Sequence, residues 1–202
     1  MVNKYQSFGQ LEKKERPDHY TIFLHKGSTG VAIIAPHGGG IETGTSEIAK
    51  GIAGNEHTVY CFEGTRPGKN AELHITSTRF DEPAGVRIVN DAEQVVAIHG
   101  CGDKNEVIYL SGLDEELKHR IHKALTAAGF HVEKPVSANM QGTQAENICN
   151  RGRSRRGVQI EISEGLRRKM FEDHTKKAGR EVTKLAYHKF VNAIREAITR
   201  QE

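Results

Sequence analysis

The chain of 202 residues is long enough to bury one core, and a single domain spanning residues 1–202 is expected. Hydrophobic residues at 36% and charged residues at 27% fit a globular protein, and no apolar run approaches the roughly 18 residues of a membrane helix, so no membrane segment is expected. A formal charge of +3 with a pI near 8.7 is mildly basic, which would help attract a polyanion without identifying one, and nucleic acid is not expected as a partner.

The opening MVNKYQSFGQLEKKERPDHY places charges where a secretory signal carries its apolar stretch, so synthesis in the cytosol is expected. Val31 to Ala35, short, apolar and rich in branched residues before Pro36 and glycines, reads as a buried strand ending in a loop. Ile48, Ala49, Ile52 and Ala53 have helical spacing, with Thr45 or Ser46 as cap and Gly54 as stop. Thr58 to Phe62 and Leu73 to Thr78 read as strands around the turn-rich stretch Glu63 to Asn70, and a short helix is expected over Pro83 to Ala92.

Gln94 to Ile98 and Val107 to Leu110 are further buried strands. Asp114 to Ala128 is the clearest helix: Leu113, Leu117, Ile121 and Leu125 step by four, and Gly129 follows its end. Val158 to Ser163 alternates, with Val158, Ile160 and Ile162 on one face and Gln159, Glu161 and Ser163 on the other. A last helix is expected from about Glu181 to Thr199, burying Val182, Leu185, Ala186, Ala193, Ile194 and Ala197. Strands alternating with helices imply an α/β fold, an open mixed, mostly parallel sheet flanked by helices on both faces, whose ligands sit beyond the C-terminal strand ends.

Two histidines occupy such ends. His37 follows VAIIAP in APHGGGIETGTSEIA, and His99 closes QVVAIH. Glu42 lies five residues past His37, across glycines flexible enough to bring a carboxylate back to the imidazole. Two histidines and a glutamate form the ligand set of hydrolytic zinc sites, with a fourth position left for water whose pKa the metal lowers. HGGG also occurs as an oxyanion loop in serine esterases, but no G-x-S-x-G accompanies it; Gly152-Arg153-Ser154-Arg155-Arg156 lacks the second glycine. A phosphate cradle would want a P-loop lysine or dinucleotide glycine spacing, and neither is present.

Glu161, mid-strand on the polar face, is placed to take a proton from an activated water and pass it to a leaving amine; the plain alternative is a surface glutamate. NRGRSRRG supplies Arg151, Arg153, Arg155 and Arg156, whose guanidinium forks suit carboxylates, or else form a solvated basic loop. Arg79 and Arg87 are weaker candidates for the same task. His74 either lines the cleft or is a satisfied structural histidine, and His119 and His122 belong to the surface. Cys61, Cys101 and Cys149, an odd number at wide spacings, read as buried thiols.

APHGGGIETGTSEIA, HITSTRFDEP, VAIHGC and NRGRSRRGVQIEIS, in that order, resemble the phage-type poly-gamma-glutamate hydrolase family over Ala35 to Ser163. The resemblance implies a fold similar to zinc carboxypeptidases and cleavage of the gamma-glutamyl amide of a bacterial capsule polymer. It also implies one zinc on His37, Glu42 and His99 with Glu161 as general base. Asn150 and Arg151 are similar to the asparagine-arginine pair with which carboxypeptidases hold a substrate carboxylate, so these two, together with Arg155 and His74 from the readings above, are expected to bind substrate. Four residues separate His37 from Glu42 where carboxypeptidases have two, so exopeptidase action is not carried over.

The expected enzyme is thus a zinc-dependent amide hydrolase acting on an acidic polymer as a monomer, outside the cell after host lysis if phage-encoded. The alternatives are a zinc peptidase on another acidic peptide, such as a peptidoglycan stem, and a non-enzymatic basic module for a polyanion.

Overall fold

The computed structural model describes residues 4–135, 137, 140–181 and 183–199. Its strands are β1 (Tyr20–His25), β2 (Val31–Gly39), β3 (Thr58–Gly64), β4 (Gln94–Cys101), β5 (Ile108–Gly112), β6 (Val132–Glu133) and β7 (Val158–Ser163). They form one 7-stranded sheet in the order β1-β3-β2-β4-β7-β5-β6. β3, β2, β4 and β7 run parallel; β1 is antiparallel to β3, β5 is antiparallel to β7, and β6 is parallel to β5. The mixed, mostly parallel sheet read from the sequence is what forms.

The helices are α1 (Phe8–Glu12), α2 (Thr45–Ala53), α3 (Pro83–Asp91), α4 (Glu115–Ala127), α5 (Glu164–Met170), α6 (Lys177–Glu181) and α7 (Leu185–Thr199). Alternation along the strands divides them between two cores. Val31, Ile33, Ala35, Val96, Ile98, Ile160 and Ile162 pack with α2, α4, α5 and α7. The intervening Ala32, Ile34, Val95 and Ala97 pack with α1 and α3. Leu117, Ile121 and Leu125 form the buried stripe of α4, and removing such a side chain costs about 2–5 kcal/mol, so Leu125→Ala should weaken this layer.

Side chains of opposite parity on β4 and β7 point to the α1–α3 side. Near the C-terminal strand ends those helices no longer cover it, and irregular segments around residues 74–79 and 140–147 take their place. β7 passes directly into α5 through Ser163, whose Oγ accepts from the Leu166 and Val107 amides. His37 lies inside β2, where the pairing with β3 shifts register between Ala35 and Gly38.

Two expected elements differ. Leu73 to Thr78 is not a strand: a 3-10 turn over Asn70–Leu73 leads into extended chain whose buried residues still alternate. Its backbone polar groups serve other partners, the Ile75 carbonyl taking His37 and the Ser77 carbonyl the Ile148 amide. The last helix is split, with α6 ending at Glu181 and α7 starting at Leu185, which is 69% exposed. The stripe of α7 is instead Phe190, Val191, Ala193, Ile194, Ala197 and Ile198, while Val182 lies outside the described residues. No helix among the described residues is long and apolar enough to cross a membrane.

Candidate metal centre

The register of the central strands brings the acid–base groups together. In the β4–β7 ladder His99 stands opposite Glu161, so both side chains leave the sheet on the same face at the same height. β2 flanks β4 on its other side and contributes His37. The glycine loop then turns back: the Glu42 amide donates to the His37 carbonyl at 2.9 Å, and Thr45 Oγ1 donates to the Glu42 carbonyl at 2.8 Å. Gly39 and Gly44 adopt φ of +62° and +95°, which a side chain would resist, and a Cβ on Gly39 would press on the Gly64 backbone.

His37 Nδ1 lies 3.0 Å from Glu42 Oε1 and 3.1 Å from His99 Nδ1, and His99 Nδ1 lies 3.5 Å from Glu42 Oε2. Donors about 2.0–2.2 Å from a shared tetrahedral ion are spaced about 3.3–3.6 Å apart, so the triangle is within about 0.3 Å of a zinc ligand set on every edge. Its supports agree. His37 Nε2 donates to the Ile75 carbonyl at 2.7 Å, which turns the Nδ1 lone pair toward the cluster. His99 Nε2 has Ser77 Oγ at 3.5 Å, and the Gly100 amide donates to Glu42 Oε2 at 2.8 Å. One half-buried carboxylate facing two buried imidazoles, each held by its far nitrogen, fits a divalent cation of zinc's softness, and His37, Glu42 and His99 are the residues that could hold it.

Electrostatics separates the two glutamates. Burial opposes the charge on Glu42, but the His37 and His99 rings override it and hold its carboxyl well below the usual range. Burial likewise works against a charge on His99, yet Glu42 and Glu161 raise its pKa. At Glu161 burial wins and pushes the carboxyl up to about 7, with His99 opposing and Glu42 reinforcing the rise. Gln159, two residues earlier on the same face, donates to Glu161 Oε1 at 3.1 Å and is itself held by Asn147 at 2.9 Å.

These groups line a cleft of about 410 Å3 between the sheet and the segments carrying Thr76, Ser77 and Thr78 on one side and Met140, Gln141, Gln144 and Asn147 on the other. His74 is part of it, its ring centroid 3.9 Å from that of His37; the neighbouring His37, then burial, lower its pKa to about 3. Cys101 also lines the cleft and is half-buried, unlike Cys61 and Cys149, which are buried as expected. His119 and His122 are exposed.

The arginine loop does not join them. It precedes β7, at the opposite end of the strand from Glu161, and among the described residues lining the cleft there is neither Lys nor Arg. Arg155 is exposed with φ of +56°, and Arg153 pairs with Glu93 at 3.0 Å at the start of β4. Asn150 is fully engaged by backbone, donating to the Gly142 and Gln144 carbonyls and accepting from the Gly157 amide. Arg151 donates to the carbonyls of Thr78, Phe80 and Glu146, stitching one wall of the cleft to the other. Asn150, Arg151 and Arg155, expected to bind substrate, are not among the residues lining the cleft: the first two donate to backbone carbonyls, and Arg155 lies on the exposed turn before β7. Gln159 and Ser77 were missed; the period-two alternation that singled out Glu161 equally selects Gln159, whereas Ser77 acts through a tertiary approach with no local signal.

A family model for poly-gamma-glutamate hydrolase matches residues 5–193. The solved structure of a bacteriophage poly-gamma-glutamate hydrolase superposes with a TM-score of 0.93 at 33% identity, covering 98% of this chain and 97% of that one. Zinc-free, apo YNDL superposes with a TM-score of 0.92 at 30% identity over 97% of both chains. The SPbeta prophage-derived UPF0714 protein YoqZ of Bacillus subtilis (strain 168) is 38% identical over 86% of this chain, which spans 64% of that relative's length.

Proposed function

The chain belongs to the poly-gamma-glutamate hydrolase family, and from that premise we propose that it hydrolyses the gamma-glutamyl amide of poly-gamma-glutamate at the His37, Glu42, His99 and Glu161 cleft. The observation that carries this reading is the convergence of two anchored imidazole nitrogens and a carboxylate, with a second, proton-prone carboxylate opposite His99.

In this reading His37, Glu42 and His99 hold one zinc ion. When bound, zinc supplies Lewis-acid polarisation of the amide carbonyl and lowers the pKa of water in the site. Glu161 takes the proton from the attacking water and delivers it to the leaving nitrogen as the amide C–N bond breaks, a shuttle suited to a carboxyl whose pKa lies near 7. Gln159 fixes the orientation of that carboxylate through its 3.1 Å hydrogen bond. His74, neutral at working pH, contacts the substrate beside His37. With neither Lys nor Arg among the described residues of the lining, the substrate's free carboxylates are met by hydroxyl and amide donors of Thr76, Thr78, Gln141 and Gln144. The activity is exerted on polymer outside the cell, and residues 1–202 act as one domain and as a monomer.

Size analysis of poly-gamma-glutamate treated with zinc-loaded protein, beside a peptidoglycan digest, tests the reading. Shortened polymer with intact peptidoglycan is the expected result; peptidoglycan release with unchanged polymer would transfer the site to stem peptides.

A further inference from the structure

α5 contains one residue that its polar sequence, EGLRRKM, does not distinguish. Arg168, the next residue, reaches out to Glu164 as an ordinary exposed ion pair. Arg167 turns inward and is only 5% exposed. Its guanidinium is answered by three carbonyls from three different segments. Nε donates to Ile162 at 3.0 Å, Nη1 to Thr43 at 2.5 Å and Nη2 to Cys101 at 2.9 Å.

Each carbonyl lies within two residues of a working residue. Thr43 follows Glu42, Ile162 follows Glu161, and Cys101 is two residues past His99. The fork also packs against Gly100, where a Cβ would come within 2.7 Å of its central carbon, and the Gly100 amide is the donor that holds Glu42 Oε2. Among the described residues Arg167 forms no ion pair, so its buried charge is balanced at longer range by the electrostatic fields of Glu42, Glu164 and Glu161. A buried guanidinium held by three carbonyls and, at 3.5 Å, the Thr43 hydroxyl, with no carboxylate in contact, is costly unless its position does something for the fold or the site.

We propose that Arg167 is a positioning residue that clamps the backbones behind Glu42, His99 and Glu161 into one frame, fixing the metal-ligand triangle and the distance from it to the base. The role rests on the metal reading given above. Planar, five-donor geometry is what lets one side chain span three segments, and a lysine at the same place would keep the charge but lose the fork.

The test is zinc affinity of the full chain, measured by competition with a chromophoric chelator after metal stripping, together with the visible spectrum of the cobalt-loaded protein. Parent, Arg167→Lys and Arg167→Met are compared with Leu125→Ala, a core variant remote from the cleft that reports on lost stability alone. Arg167→Met is expected to weaken zinc binding about 10–100-fold and to shift the cobalt bands, with Arg167→Lys between it and the parent and Leu125→Ala within about two-fold. Should Arg167→Met fail to fold, Arg167→Lys carries the same comparison, and Gly100→Ala, which displaces the guanidinium, is expected to weaken zinc in the same direction. Parent-like affinity and spectrum in the folded Arg167 variants, or an equal loss in Leu125→Ala, would overturn the proposal while leaving the metal reading intact. A parent chain that binds no zinc would instead overturn the metal reading and this role with it.

Discussion

β4 and β7 have polar side chains packed beside both ends, and the two ends treat them differently. At the N-terminal end, Asn150 and Arg151 spend their donors on the protein's own carbonyls, so every side-chain nitrogen has a backbone acceptor. At the C-terminal end the groups face one another: two imidazole nitrogens 3.1 Å apart, a carboxylate against both, and Glu161 driven toward its protonated form. Saturated polar groups hold a fold together; convergent, mutually frustrated ones mark a place for an ion or a proton. The same residue types, arginine and asparagine included, fall on opposite sides of that line according to what surrounds them.

The sharpest way to break this comparison is at the convergent end. His99→Ala removes one of three ligands, and zinc content by elemental analysis is expected to fall from about one per chain toward zero, with polymer cleavage lost. Zinc retained at full stoichiometry would detach His99 from the site. Glu161→Gln keeps the shape and the metal but removes the proton carrier, so kcat is expected to drop about 100-fold or more at unchanged zinc content. Turnover within a few-fold of the parent would remove Glu161 from its role.

Protons sharpen the same point. A folded-state pKa of about 7 at Glu161, above its ordinary value, means the folded protein binds more protons there than the unfolded chain between about pH 4.5 and 7. That contribution to stability is present at low pH and is lost as pH rises through the folded value; His99, also raised, acts in the same direction, whereas His74, lowered to about 3, acts in the opposite one below its ordinary value. Metal-free protein should therefore lose this share of its stability from pH 5 to 8, while zinc affinity rises over the same range because ligand protons no longer compete. Thermal denaturation of the metal-free parent beside metal-free Glu161→Gln isolates this group: the parent's stability relative to the variant should fall from pH 5 to 8, and a pH-independent difference would contradict the assignment.

At the saturated end the effects are structural and smaller. Arg151→Ala strands carbonyls at Thr78, Phe80 and Glu146 and is expected to cost about 2–3 kcal/mol by denaturant titration, with zinc content unchanged. Arg155→Ala, on the exposed turn, should alter stability by less than about 0.5 kcal/mol and leave cleavage within about two-fold. A large loss of polymer affinity in Arg155→Ala would restore the arginine loop to the substrate path.

Much of this architecture is legible in the chain. Apolar runs broken by glycine give β2, β4 and β7, and the four-residue step of Leu117, Ile121 and Leu125 gives α4, because in each case burial on a known face is the dominant energy. β1 is not legible: it is an edge strand whose Ile22, Phe23 and Leu24 are all about 40% exposed, so no alternation announces it and its register comes from β3. Leu73 to Thr78 shows the converse, a correct alternation of burial without a ladder partner, since its carbonyls are taken by His37 and Ile148. His37 and His99 are candidates by type and position at strand ends, Glu42 by its spacing across the glycine loop, and Glu161 by its place on the polar face of β7. The clamp at Arg167 and the inward use of Asn150 and Arg151 depend on which backbone carbonyls arrive from distant segments, and residue identity alone does not carry that information.

The central claim is that one divalent ion sits between His37, Glu42 and His99. Diffraction from zinc-soaked crystals at the zinc absorption edge measures it directly: a single anomalous peak about 2.0–2.2 Å from Nδ1 of both histidines and from a Glu42 carboxylate oxygen is the expected result. Anomalous density only at surface histidines such as His119 and His122, with none in the cleft, would contradict it.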